Sequence, residues 1–307
     1  MADTVQSLPI PDAVASPVRR PRPLGLVLLF CRRKPLGAIG AALVLALIIM
    51  AVFADRIAPY TYDETIRGAR MKPPSAQFWL GTANLGRDIW SRVVYGARIS
   101  VTVGFATIAL TTLLATIIGV SSAYLGGTYD ILVQRVVDAW ISFPALVIVL
   151  SLVAALGPGL LNLIIALSIL GAAGTSRVIR GAALSTMQNP YVEAARALGS
   201  GHWRIVVHHV LPNVLATVII VATIGLGTVI LAESALSFLG FGIPPPYPSW
   251  GGMLSGSGRS FMYRAPWMAL FPGAAISLAV FGFNMFGDAL RDLLDPRLRG
   301  SSGRPAG

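Results

Sequence analysis

Two long stretches of this chain contain no charged residue, and they constrain its fold more than any other feature. One lies between Arg98 and Asp130, and the other runs from residue 139 to residue 176. About 20 apolar residues cross the hydrocarbon core of a bilayer as a helix, in which every backbone polar group is satisfied internally. With 55% hydrophobic and only 12% charged residues, the sequence predicts an all-α integral membrane protein.

Six segments are long and apolar enough to be transmembrane helices. Gly157-Pro158-Gly159 divides the second charge-free stretch, because glycine and proline favour a turn. The first apolar run is longer than the ~7 to 15 residues of a signal-peptide core, so we interpret it as an uncleaved span. The predicted spans are residues 36–53, a span between 98 and 130, a third from about 132 to the Gly-Pro-Gly turn, a fourth ending by 176, a fifth from about 210 to 231 and a sixth from 267 to about 290.

Basic residues in the loops predict the orientation. With a cytoplasmic N terminus, fifteen of the 24 lysines and arginines lie in cytoplasmic segments and nine lie outside. This excess predicts that both termini are cytoplasmic, although the basic residues between 56 and 98 reduce the bias. The net charge of +11 then needs no nucleic-acid partner, because basic flanks contact anionic lipid headgroups. Cys31 is the only cysteine, which excludes an intrachain disulfide and a thiolate metal cluster.

The chain divides into four predicted segments. Residues 1–35 lack apolar periodicity and are expected to be a disordered basic cytosolic tail. Residues 36–97 contain the first transmembrane helix and an extracytoplasmic loop, residues 98–300 form the core, and residues 301–307 are a second cytosolic tail. Gly126 to Asp130 is predicted to form a short internal turn. The core contains one long polar loop, residues 189–213.

This polar loop predicts two short amphipathic helices joined by a glycine hinge. Asn189 is a favourable N-cap, and Pro190 suits the first helical position. Glycines 199 and 201 end the first helix, and Leu211-Pro212 marks the start of the next membrane span. Each helix is expected to have one apolar stripe, consisting of Tyr191, Ala195 and Leu198 in the first and of Trp203, Val206, Val207 and Val210 in the second.

The small residues of the first helix allow another surface to approach closely. They are Ala194, Ala195, Ala197 and Gly199. One interpretation is a docking face for a second protein. The other is an ordinary interfacial helix pair that lies among lipid headgroups.

The same loop also resembles a known family signature. Glu193-Ala194-Ala195, followed by Gly199 and by Leu211-Pro212, resembles the EAA loop of importer-type permease subunits of ATP-binding cassette transporters. His209 departs from the pattern, which has isoleucine there. Residues 78–100 and 232–254 resemble segments of the dipeptide, oligopeptide and nickel subfamily, specifically its six-span C-type subunit. Ala83 stands where that subfamily usually has aspartate.

The resemblance implies a MetI-like permease core, formed by spans 2–6, plus an N-terminal span. It implies a heterodimer with a second permease subunit in the bacterial inner membrane, two cytosolic ATP-binding subunits and an extracytoplasmic solute-binding protein. The cargo would be a dipeptide, an oligopeptide or a similar small solute such as a nickel chelate. The residues implied to dock on the ATPase are Glu193, Ala194, Ala195, Arg196, Leu198, Gly199, Trp203, Leu211 and Pro212.

The chain itself is predicted not to be an enzyme and to need no cofactor. It contains no G-x-x-x-x-G-K-[ST] phosphate-binding loop, so ATP hydrolysis is expected on separate subunits. A secondary transporter or channel without ATPases is the alternative function. It would require ionisable groups inside the spans, and these are nearly absent.

Several polar residues outside the signature have more than one interpretation. His202, His208 and His209 are predicted not to bind a metal, because their spacing suits no ligand set. Arg135 and Asp138 are expected to pair with each other or with lipid headgroups. Glu233 is interpreted as a structural hydrogen-bonding residue rather than a substrate ligand. The loop of residues 244–252 either contacts the solute-binding protein or braces the outer rim.

Overall fold

The computed structural model describes residues 34–294, and within that range the chain is almost entirely helical. The predicted tails of residues 1–35 and 301–307 lie outside the described residues, apart from Lys34 and Pro35. The helices are α1 (Pro35–Val52), α2 (Ala54–Ile57), α3 (Ile89–Leu125), α4 (Gly127–Ile141), α5 (Ala145–Leu156), α6 (Leu160–Met187), α7 (Pro190–Ala197), α8 (His202–Ile205), α9 (Leu211–Phe238), α10 (Trp250–Met253) and α11 (Trp267–Leu294).

Within residues 34–294, five helical segments are long and apolar enough to cross a membrane, and a bent pair supplies a sixth if it counts as one span. The five are α1, α3, α6, the continuous segment His202–Phe238 and α11. The prediction of an all-α membrane fold is therefore confirmed. The second span is longer than predicted, because α3 begins at Ile89 rather than after Arg98. The Asp88 side chain caps it by accepting a hydrogen bond from the Ser91 backbone N–H.

The third predicted span is not one straight helix. Helices α4 and α5 meet at a bend of 92° around residues 142–144. Pro144 has no N–H to donate to a helical hydrogen bond, so α4 cannot continue through it. Helix α4 ends at Ile141, and α5 begins directly after Pro144. With 15 and 12 residues, neither half alone reaches the ~20 residues of a crossing. The predicted division at Gly157-Pro158-Gly159 is confirmed, since α5 ends at Leu156 and the next residue, Gly157, has a positive φ of 86°.

The predicted turn at residues 126–130 is shorter than expected. Only Gly126 and Gly127 have positive φ, at 60° and 53°. The next residues already belong to α4, which begins at Gly127. Asp130 is therefore a first-turn helix residue, where a carboxylate is stabilised by the helix dipole.

Close contact between α3 and α6 forms the centre of the bundle. A Cβ atom at Gly119 would lie 2.6 Å from the Ser176 carbonyl oxygen and 2.9 Å from the Arg180 backbone nitrogen. Ala115, one turn earlier, is fully buried. Small residues thus let the two backbones approach.

Tryptophan and tyrosine side chains pack around the N-terminal end of α3. Trp250 is fully buried, and its indole Nε1–H donates a hydrogen bond to the Val93 carbonyl oxygen at 3.0 Å. Tyr62 lies at the edge of the Tyr95 ring and stacks on Tyr247, with centroids 5.3 Å and 5.7 Å apart. The loop of residues 244–252 therefore braces this rim of the molecule through Trp250.

Ala83 forms its turn without the carboxylate that the family pattern would supply. Its N–H donates to the Arg87 carbonyl oxygen at 2.8 Å, and its carbonyl oxygen accepts from the Gly86 N–H at 2.9 Å. These backbone hydrogen bonds close the turn, and the Arg70 Nε–H donates a further one to the Asn84 carbonyl oxygen at 3.0 Å.

Candidate docking surface

The loop between α6 and α9 begins with a helix whose start follows the sequence. Pro190 occupies the first position of α7, and Glu193 lies in its first turn. The Val192 N–H donates to the Asn189 carbonyl oxygen at 2.9 Å. The Asn189 side chain does not cap α7, however. Its amide instead donates to the Thr186 carbonyl oxygen at 3.0 Å and so secures the end of α6.

Helix α7 ends at a glycine, as predicted. Gly199 has a φ of 78°, and its N–H donates to the Arg196 carbonyl oxygen at 2.9 Å. The Ser200 N–H reaches back to the Ala195 carbonyl oxygen at 3.0 Å. This pair of hydrogen bonds satisfies the last carbonyl groups of the helix, a common role of a left-handed glycine.

The predicted apolar stripe of α7 is wrong at two of its three positions. Val192 is fully buried and Ala195 is buried, whereas Tyr191 is exposed and Leu198 is 87% exposed. The reason is that α7 packs through the side that carries Val192 and Ala195, which leaves Tyr191 and Leu198 in solvent. The periodicity allowed either side to be buried.

The second helix of the loop is not a separate element. Helix α8 continues through a π-helical turn at Val206–Val210 into α9, so that His202–Phe238 is one segment of 37 residues. A π-helical turn contains an extra residue and changes the register of side chains. The predicted stripe therefore breaks: Val210 is buried, but Trp203 is 78% exposed, and Ile205 is buried in its place.

An apolar cluster anchors the loop to the ends of α3 and α6. Val192 and Ile205 are buried against Ile179 and Ala183 of α6. The cluster also includes Val120 and Ala123 of α3, Val210 of the π-helical turn and Val214 in the first turn of α9. The loop is therefore packed on the bundle through one side and exposed on the other.

The structure divides the predicted docking residues between these two sides. Ala195 is buried and Leu211 is half-buried, so neither offers a free face. The exposed members are Glu193, Ala194, Arg196, Leu198, Gly199, Trp203 and Pro212. Leu198 and Trp203 are large apolar side chains held in solvent by an anchored loop.

A group of polar side chains joins the loop to the end of α3. The Tyr124 hydroxyl and His202 Nδ1 are hydrogen-bonded at 2.8 Å. The Arg196 guanidinium lies over the Tyr124 ring, 5.8 Å from its centroid. Arg196 therefore extends toward α3, and a cation over an aromatic face is favourable.

Two ion pairs at the same end of the bundle connect α4 to α6. Asp130 receives two hydrogen bonds from the Arg180 guanidinium, one of them from Nε at 2.7 Å, and a further one from the Ser122 hydroxyl. Asp138 pairs with Arg177 rather than with Arg135, which corrects the prediction for these residues. The sequence analysis missed both pairs because their partners are about 40 to 50 residues apart and lie on different helices. The only indication in the sequence was that two aspartates lie on α4 and two arginines lie on α6.

The three histidines do not converge. His202 bonds to Tyr124, whereas His209 lies near the Tyr191 ring, with centroids 6.3 Å apart. Among residues 34–294, no group of three histidine, cysteine, aspartate or glutamate side chains could hold a metal ion.

Glu233 lies far along α9 and is fully buried. Its Oε1 accepts a hydrogen bond from the Ser237 hydroxyl at 2.7 Å, and its Oε2 accepts one from the Ser234 hydroxyl at 3.3 Å. Both partners belong to its own helix. This arrangement agrees with the structural interpretation of Glu233.

Comparison with known families gives two matches. The family described as the binding-protein-dependent transport system inner membrane component matches residues 112–300. The family described as the N-terminal TM domain of oligopeptide transport permease C matches residues 23–74.

Two relatives are similar over most of their length. A dipeptide transport system permease protein from Alkalihalophilus pseudofirmus is 42% identical over 268 residues, which cover 87% of this chain and 88% of the relative. A glutathione transport system permease protein from Escherichia coli O6:K15:H31 is 38% identical over 275 residues, covering 88% and 89%.

A solved structure shares the fold. It is the MetNI methionine ABC transporter in inward-facing conformations, with a TM-score of 0.55 and 19% identity. The similarity covers 67% of this chain and 97% of that one. The MetI-like core expected from the sequence is therefore confirmed.

Proposed function

Because this chain belongs to the family of binding-protein-dependent transport system inner membrane components, we propose that its loop of residues 189–213 docks on a separate ATPase and that its cargo is a peptide. Membership makes the chain a multi-pass inner-membrane permease subunit of an ATP-binding cassette importer, not an enzyme. A secondary transporter or channel is set aside on the same ground.

The observation that carries the docking proposal is the exposure of Leu198 and Trp203. Large apolar side chains gain free energy when a partner covers them, about 1.5–3 kcal/mol for a fully buried side chain. Here Val192 and Ile205 anchor the loop, so its exposed side chains are presented on a fixed support. Ala194 and Gly199, which are also exposed, leave room for the partner's surface.

The same anchoring offers a route for coupling. Helix α7 packs on the ends of α3 and α6, and the loop continues without a break into α9. We expect a displacement of α7 by the ATPase to move the ends of these three helices together. Such coordinated movement is what alternating access of a central pathway requires.

The peptide assignment rests on the relatives. Their names give dipeptide and glutathione as transported solutes, and both are small peptides. We propose the same class for this chain, with a second permease subunit as heterodimer partner, two ATP-binding subunits and an extracytoplasmic solute-binding protein. The loop and both termini are proposed to be cytoplasmic, in accord with the excess of basic residues there.

Co-purification of the ATP-binding subunits tests the docking proposal. Leu198→Asp places a charge where an apolar contact is proposed, so we expect at least a tenfold loss of co-purified ATPase and a parallel loss of peptide uptake. The substitution lies on an exposed side chain, so the permease itself should still fold.

Leu85→Asp is the matched control. Leu85 is also an exposed leucine, and it belongs to the loop before α3. ATPase association should remain at the wild-type level in this variant. Equal association in the Leu198 and Leu85 variants would remove the docking assignment.

A further inference from the structure

A polar cavity lies between the end of α3 and the loop. Its volume is about 460 Å³, and its lining includes Tyr124, Arg196, Ser200 and His202. No carboxylate is among the residues that line it in the described part of the chain. When the Tyr124 hydroxyl donates to Nδ1 of His202, the imidazole hydrogen lies on Nε2 and can donate to a ligand.

An apolar groove continues from this cavity along α3 and the start of α9. It also has a volume of about 460 Å³ and shares Tyr124, Leu125 and His202 with the polar cavity. From Tyr124 it follows α3 back to Thr116, which is about 12 Å at the helical rise of ~1.5 Å per residue. Val207 lines the facing side.

We propose that the cavity and the groove together bind one anionic phospholipid of the cytoplasmic leaflet. The phosphate occupies the cavity between Arg196 and His202, and an acyl chain occupies the groove. The inference rests on the cytoplasmic location proposed above for the loop.

Charge and position favour a lipid over a protein segment. A guanidinium, an imidazole N–H and the Ser200 hydroxyl converge in one cavity, and these groups can donate hydrogen bonds to a phosphate. The groove begins where the cavity ends and lies between two apolar helices that are long enough to cross the membrane. A headgroup joined to an acyl chain has this same division into an anionic and an apolar part.

The bound lipid can be measured on the purified full-length chain without any ATPase. The chain is reconstituted into vesicles of equal parts phosphatidylglycerol and phosphatidylcholine with identical acyl chains. It is then extracted in mild detergent, and its retained lipids are quantified by mass spectrometry. We expect retention of phosphatidylglycerol in excess, and about a fivefold lower excess in Arg196→Gln, because one basic residue is removed. A failed ATPase-docking proposal would leave this measurement unaffected.

Two further variants separate the proposed site from general charge effects. Arg204→Gln removes an arginine that is exposed and lines neither cavity, so its lipid excess should match the wild type. Val207→Phe adds a ring inside the groove and should lower the excess while both polar residues remain. The proposal is overturned if the excess is the same in all variants, if Arg204→Gln lowers it as much as Arg196→Gln, or if the wild type shows no excess.

Discussion

An arginine–aspartate pair lies near each end of α3, and the two pairs differ in their surroundings. At the N-terminal end of α3, which is the outer end in the orientation proposed above, Arg98 binds Asp55 at 2.8 Å, and their side chains are 40% and 67% exposed. At the C-terminal end of α3, which is the inner end in that orientation, Asp130 of α4 binds Arg180 of α6, and their side chains are only 18% and 27% exposed.

The inner pair also belongs to a larger network. The Ser122 hydroxyl donates to Asp130, and the Gln134 side-chain amide donates to Ser122 Oγ at 3.0 Å. Exposed ion pairs contribute little because water and salt screen them, whereas pairs that are shielded from water contribute more. The comparison indicates that ion pairing joins helices at the proposed docking end, whereas aromatic packing around Trp250 holds the outer end.

Among single substitutions at the inner end, Gly119→Ala is expected to lower the free energy of unfolding most. The added methyl group would meet the backbone of α6 at 2.6 Å, and backbone atoms cannot rotate away. Gly174→Ala is the matched control, because nothing lies within 4 Å of its added methyl group. Both variants gain the same helix propensity, so we expect Gly119→Ala to be about 2 kcal/mol less stable than the control. Unfolding in mixed detergent measures the free energy, and equal stability would contradict the close packing of α3 on α6.

Asp130→Asn is expected to have the next largest effect. It leaves Arg180 without its carboxylate partner and should lower the free energy of unfolding by about 1–2 kcal/mol. Asp138→Asn on the same helix is the comparison, because the Asp138 side chain is 44% exposed and that pair is more accessible to water. The same unfolding assay should give a smaller loss for Asp138→Asn. A larger loss of unfolding free energy in Asp138→Asn than in Asp130→Asn would contradict the expectation that the less exposed ion pair contributes more to stability.

Asp55→Asn should have the smallest effect, and the size of that effect depends on pH. A hydrogen bond from Arg98, followed by one from Tyr95, lowers the pKa of Asp55 below its ordinary value of 3.8. A lowered pKa in the folded state gives stability that is present above pH 3.8 and is lost as pH falls through the folded pKa. Thermal unfolding should therefore show a small deficit for Asp55→Asn near neutral pH.

That deficit should disappear in two conditions. Strong acid protonates Asp55 in the wild type, and high salt screens the exposed pair. A deficit that persists unchanged in high salt would mean that the outer pair is shielded like the inner one, and the comparison between the two ends would fail.

Much of the fold could be predicted because hydropathy is a local property. The spans were found wherever an apolar run exceeded the bilayer thickness, and α7 begins at Pro190 and ends before Gly199 as local backbone preferences dictate. The 92° bend between α4 and α5 was missed. Pro144 lies inside an apolar run, where hydropathy favours one continuous span.

The candidate site was predicted less completely than the fold. The sequence located the loop and its family signature, but it gave α7 the wrong buried side and treated α8 as a separate helix. Amphipathic spacing shows that one side of a helix is apolar, yet the helix contacted by α7 determines which residues are buried. Val192 is buried because α6 and α3 lie against it.

The sequence by itself determined that this protein is a helical membrane permease with a conformationally defined polar loop, because apolar length, glycine, proline and the signature act within short stretches of chain. Only the tertiary structure decided that Asp130 binds Arg180, that Asp138 binds Arg177 rather than Arg135, and that Arg196 and His202 share a cavity with Tyr124. These contacts join residues that are about 40 to 80 positions apart. Packing of the helices, rather than neighbourhood along the chain, brings such residues together.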